Sequence, residues 1–392
     1  MSSSSIEYRK KELPSKLSSV GLALLIAGLA IVILGYIVDP ARSLYNNIVG
    51  FTFLVSVGVG SLFLVALEYA AGAVWSTPFR RVTEFLAANI YLIPLLAIPL
   101  LLNLSTIFHW THPDPKDLAM MNKAPYLNIN FFVIRVIGFW LLWLIFYFFI
   151  SKNSVKQDES KDQLLTKMNI KLSVVFIPIF AITISFAAID WLMSLEPKWF
   201  STIFGVYYFA GTVLAALAAG TIFIVMLNER GYFVKGLTSD HYYSLGALLF
   251  AFTNFWAYIA FSQYLLIWYA NLPEETAWFI TRWHGSWKII SIGLVFVHFI
   301  IPYFGLLSQP SKMNPRRLIY MAAWILFAHY YDLYWMTLPN YDKSGAVVGW
   351  MELGFPVLIA GLIMLVFNFK SKSQNLVPIG DPKLKRGIDF KL

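Results

Sequence analysis

Ten stretches of about 20 mostly uncharged residues follow one another along the chain, separated by short polar segments: 17–38, 49–71, 82–104, 129–150, 172–190, 204–227, 243–267, 287–307, 318–335 and 347–367. A helix needs about 20 apolar residues to cross the hydrocarbon core of a bilayer. The pattern therefore predicts ten transmembrane helices. The runs are continuous rather than alternating, which excludes a β-barrel. The ninth is the shortest: Arg317 and Asp332 bound it, and it ends in His329, Tyr330, Tyr331 and Asp332. A basic segment (Arg9, Lys10, Lys11, Lys16) precedes the first run. That run is longer than a signal-peptide core, and 36–39 offers no small-residue cleavage site, so it reads as a retained helix. The organisation is an N-terminal tail (1–16), a single transmembrane domain (17–367) and a C-terminal tail (368–392). No segment between the helices is long enough to bury a core of its own.

Composition agrees: 58% of the residues are hydrophobic and only 13% charged, far from the balance of a soluble domain. Cysteine is absent, which removes thiolate-ligated clusters, covalently attached c-type haem, disulfides and a cysteine nucleophile. The formal charge of +9 does not indicate nucleic acid, because the basic residues sit in short loops and tails. Sorted by side, Lys and Arg number 21 on the face shared by both termini and 6 on the opposite face. The positive-inside rule then places both termini in the cytoplasm. Nine of the 14 Trp fall at or beyond the outer interface. They form an aromatic belt, a docking face for a partner protein, or both.

Ionisable residues inside spans cost ~3 kcal/mol at the bilayer centre and are functional candidates by default. Glu68, Glu84, Asp240 and His241 lie toward the cytoplasmic side, Arg135, Asp190, His284, Lys288, His329, Asp332 and Glu352 toward the outside, and His298 with Thr253 and Asn254 between them. The layout is that of two polar half-paths meeting near the midplane. Glu68, Glu84, Asp190, His241, Asn254, His298 and Asp332 form the candidate proton path. Arg135, Glu196, His284, Lys288 and His329 form a candidate outer polar or quinol-proximal cluster. Each has a plainer reading as well. Glu84, Asp240 and His241 suit helix N-termini, Arg135 and Lys288 can neutralise Asp190 and Asp332 or snorkel outward, and His298 can be a buried neutral imidazole. His298 and His329 are too few and too close for a well-supported bis-histidine haem. The lone His109, His112 pair in an outer loop lacks further metal ligands, and no hydrolase or nucleotide-binding motif is present.

Three segments carry a resemblance. Residues 190–211 read DWLMSLEPKWFSTIFGVYYFAG, 254–276 read NFWAYIAFSQYLLIWYANLPEET, and 282–291 read RWHGSWKIIS. They resemble the membrane subunits of alternative complex III, the bacterial quinol:cytochrome c oxidoreductase, within the NrfD-like (polysulfide reductase) superfamily. The length and the DWLMSLEPKWFST form look most like the smaller, ActF-type of the two paralogous subunits. The resemblance implies an all-α polytopic fold of two four-helix bundles, helices two to five and six to nine, flanked by helices one and ten. It also implies a place in the bacterial inner membrane beside the larger NrfD-like paralogue, an iron-sulfur subunit and c-type cytochrome subunits, with a terminal oxidase as a further neighbour. Haem c and iron-sulfur clusters would sit in those partners, and menaquinol or ubiquinol at or near this subunit. A secondary transporter and a purely structural scaffold are the alternatives left open by the residues alone.

Overall fold

The computed structural model describes residues 12–233 and 236–392; Arg9, Lys10, Lys11 and Lys235 of the charge count lie outside them. Among the described residues all regular structure is helical. The main helices are α1 (Ser15–Val38), α2 (Pro40–Ala71), α3 (Thr77–Leu101), α4 (Ile129–Ser160), α5 (Gln163–Trp191), α6 (Phe204–Glu229), α7 (Ser239–Ala270), α8 (Trp287–Leu306), α9 (Pro315–Thr337) and α10 (Gly354–Ser373). Nine of these segments are long and apolar enough to cross a membrane, and the chain is a multi-pass membrane protein. The tenth, α9, corrects the expectation of ten apolar spans. It has 23 residues, but Arg316, Arg317, His329, Asp332 and four tyrosines make it too polar to meet the same standard.

Helix α9 nevertheless runs from one end of the bundle to the other. Arg317 near its start donates to the Gly305 carbonyl at the close of α8, while the Trp335 and Met336 carbonyls in its last turn accept from Arg282, which precedes α8. Both described termini lie at one end. The Tyr232 hydroxyl, after α6, donates to the Glu12 carbonyl, and the C-terminal segment meets His241 at the start of α7. We call this the tail end and the opposite one the far end.

Helix α2 is the hub and packs on α1, α3, α5, α6, α9 and α10. Asp39 caps its N-terminus by accepting from the Arg42 amide, Pro40 follows at the first helical position, and Gly72 ends it at φ +67°. It begins nine residues before the apolar run at 49 because Asn46 and Asn47, both buried, donate to Glu352 and to the Tyr36 hydroxyl. Two other helices are irregular. Helix α3 passes through a 3₁₀ stretch at Ala88–Leu92, and α8 contains a π turn at Val295–Ile300. Pro302 has no N–H to return to the His298 carbonyl one turn earlier, which favours the widened turn there.

Helix α1 touches mainly α10. Its Gly21, Gly28 and Gly35 form a buried stripe, while Leu22, Ile26, Leu29, Ile33 and Ile37 on the other side are exposed, as expected of a lipid-facing surface. A Cβ on Gly28 would come within 2.8 Å of Leu358 Cβ and closer still to its backbone. Gly28→Val is therefore expected to part the two helices and cost about 1–3 kcal/mol, read as a lower unfolding midpoint in detergent. Gly138→Val, where a Cβ meets nothing within 4 Å, should leave the midpoint unchanged.

The C-terminal tail is not a loose appendage. Leu376, Val377 and Leu384 are buried, and the short helix Leu384–Ile388 lies against Val74 and Pro78 at the start of α3. That docking brings a tail carboxylate, Asp381, into the interior.

Candidate functional site

The polar groups inside the bundle form two clusters at different depths. At the tail end, Arg80 is buried and serves three carboxylates: Asp381 at 2.7 Å, Glu68 at 3.1 Å and Glu84 at 3.3 Å. Arg81, fully buried beside it, reaches Glu84 at 3.1 Å and Asp158 at 3.2 Å. Ser154 donates to Glu84 and Asn375 to Asp158, and the Arg80 guanidinium lies 4.3 Å over the Tyr69 ring. Three helices and the tail thus bring four carboxylates around two guanidinium groups. A cavity of about 570 Å³ adjoins Glu68 and extends along α6 past Thr221, Gly220 and Ala216.

The second cluster is central. Ser56 in mid-α2 meets His329 Nε2 at 3.0 Å, and the Tyr208 and Thr212 hydroxyls each at 3.3 Å. Asp332, one turn after His329, accepts from the Tyr207 hydroxyl at 2.5 Å and from the Trp256 indole at 3.1 Å. The Trp256 ring stacks on His298 with centroids 3.6 Å apart. His298, His329 and Asp332 are buried and each offers a ligand atom within 4.8 Å of the others. Neither ring nitrogen of His298, nor Nδ1 of His329, has a hydrogen-bond partner among the described residues. Gly211 makes room for the group, since a Cβ there would come 2.6 Å from His329 Cε1. The clusters approach one another along α6: Ala216, which lines the tail-end cavity, stands one turn, ~6 Å, from Thr212 on the same helix face.

On its other side the central cluster borders a larger cavity of about 980 Å³ between α7, Pro273–Thr281 and α8. Tyr207, Trp256, Asn254, Gln263 and Arg282 give it polar edges, and exposed Tyr258, Phe261 and Phe296 form its mouth. A mouth of exposed apolar side chains suits access from lipid.

Of the candidate path residues, Glu68 and Glu84 fall in the tail-end cluster and His298 and Asp332 in the central one. Asp190 belongs to neither, being clamped by Arg135 at 2.7 and 3.0 Å. His241 is used on both sides, Nδ1 toward Thr238 in a capping box and Nε2 toward the Gly387 carbonyl. Asn254 donates to the Phe250 carbonyl of its own helix. Of the candidate outer cluster, only His329 enters the centre. Glu196 pairs with Lys343 at 3.0 Å, His284 is exposed, and Lys288 is exposed with its ammonium 5.3 Å from the Trp283 ring. Lys288 therefore does not neutralise Asp332. Far-end loops are also joined by Lys198 and Asp117 at 2.7 Å, a hydrogen bond that holds the Asp117 carboxyl below its ordinary range. Sequence reasoning missed Arg80, Arg81, Asp158 and Asp381. Arg80 and Arg81 counted only as loop charges, and nothing in the pattern marks Asp381.

Comparison of the chain with protein families and with curated protein sequences finds no match.

Proposed function

We propose that this chain is a membrane subunit of a bacterial quinol-oxidising respiratory complex, and that its tail-end carboxylates handle protons on the cytoplasmic side. The observation that carries the proton role is the charge count of the buried tail-end cluster, four carboxylates against two guanidinium groups. Among the described residues the ion pairs of this cluster hold two more carboxylates than guanidinium groups; excess negative charge in a low-dielectric interior is costly, so the cluster favours holding protons and exchanging them through the cavity beside Glu68. The reading of the complex rests on the segments at 190–211, 254–276 and 282–291. The pairing of the helices fits it in part: α4 packs on α5, α7 and α9 on α6, and α1 on α10, while α2 packs on α3 and α5 and also across on α6 and α9. The +9 chain then has its termini in the cytoplasm, and electrons pass through clusters and haems held by partner subunits.

The test is made in the complex purified from the native membrane. Glu68→Gln keeps the shape of the side chain and removes its charge. Turnover and proton uptake are expected to fall by about tenfold or more while haem-containing partners still co-purify. Full turnover in an intact complex would reduce the cluster to a structural role, and purification without redox partners would end the respiratory reading. The interrupted helices α3 and α8 favour one rival, a secondary transporter. Substrate uptake by the chain alone in proteoliposomes would select it.

A further inference from the structure

The proton-handling reading makes no use of the most unusual group of side chains, the unpartnered nitrogens at the centre of the bundle. We infer that His298, His329 and Asp332 bind one divalent transition-metal ion of the zinc class. The three residues are at most 1% exposed, and their ligand atoms lie within 4.8 Å of one another. Buried polar atoms are normally paired, and three unpaired ring nitrogens in one place need an explanation that a bound ion supplies. Two imidazoles and a carboxylate, with a fourth position left to water, match the donor chemistry of zinc sites. Tetrahedral donors around zinc stand about 3.3 Å apart, so the side chains would draw together on binding.

The surroundings are those of a ligand set held in place. Ser56 meets Nε2 of His329, and Nδ1, beside Gly211, has no hydrogen-bond partner among the described residues. Tyr207 and Trp256 each engage one oxygen of Asp332, and Trp256 also fixes the plane of His298. Such outer partners orient ligands and tune their affinity. The π turn carries His298, the glycine at 211 seats the His329 ring, and Tyr207 and Trp256 connect the site to the large cavity, which provides a way in and room for the water. Spacing on α9 contributes too, because His329 and Asp332 are three residues apart and share a helix face. The inference is independent of the proton role and of the respiratory reading, since it is measured on the resting protein.

The experiment uses the full chain, purified in detergent without a polyhistidine tag, loaded with zinc and dialysed. Elemental analysis is expected to find about one zinc per chain, falling at least about tenfold in His298→Ala and His329→Gln and staying unchanged in His284→Ala. Zinc should raise the unfolding midpoint of the wild type and not that of the two ligand variants. If the variants do not fold, the cobalt-loaded wild type decides. A visible ligand-field band at one cobalt per chain supports the site. No retained metal, no such band, or equal retention in folded ligand variants overturns it.

Discussion

Arg80→Met is expected to cost about 3–5 kcal/mol and to leave little folded chain after solubilisation. The guanidinium is 2% exposed and donates from three different nitrogens to Glu84, Glu68 and Asp381. Removing it takes the cationic partner from Glu68 and Asp381 and leaves Glu84 with Arg81 and Ser154, and the penalty comes from desolvation of the stranded carboxylates rather than from the loss of a favourable pair. Arg80→Lys should be intermediate, because one ammonium cannot serve three acceptors spread around a planar fork. Adding Glu68→Gln and Asp381→Asn to Arg80→Met should recover part of the loss, with strong non-additivity. Fluorescence-detected gel filtration and unfolding midpoints measure all of these. A loss for Arg80→Met below about 1 kcal/mol would mean that water reaches the cluster freely.

The second large effect is at the far end. Arg135→Met removes the two-pronged partner of Asp190, which is fully buried, and is expected to cost about 3–5 kcal/mol. The Arg135 guanidinium also lies 3.9 Å over the Tyr126 ring, so stacking is lost with the charge. The informative variant is the double one, Arg135→Met with Asp190→Leu. Replacing a whole buried ion pair by apolar groups is often neutral or stabilising, so the double variant should unfold close to the wild type. If it unfolds as early as Arg135→Met, packing rather than stranded charge explains the single substitution.

Hydrophobic runs made most helices legible, because lipid and core both select apolar residues. The pattern is silent where polar side chains are buried against each other. The start of α2 is not legible in it, because Asn46 and Asn47 read as a loop and only the fold brings Glu352 and Tyr36 to them. Helix α9 is the converse: its polar residues lower its hydropathy, and three of them, His329, Asp332 and Tyr331, face protein partners or an adjoining backbone carbonyl. At the candidate site, the shared face of His329 and Asp332 follows from their spacing. The arrival of His298 beside them does not, since it depends on the Trp256 stack and the widened turn in α8. Asp381 lies 301 residues from Arg80 along the chain, and only the docked tail connects them.

The burial of α2 on all sides has a consequence for biosynthesis. It precedes in the chain both of the helices that cover Ser56, α6 and α9, which begin only at residues 204 and 315. Until then the Ser56 hydroxyl has only the Thr52 carbonyl of its own helix as a partner, and Asn46 lacks the Glu352 carboxylate. The partners of α2 that precede α6 in the chain are α1, α3 and α5, so a chain halted before α6 is expected to leave the Ser56 face of α2 uncovered by protein.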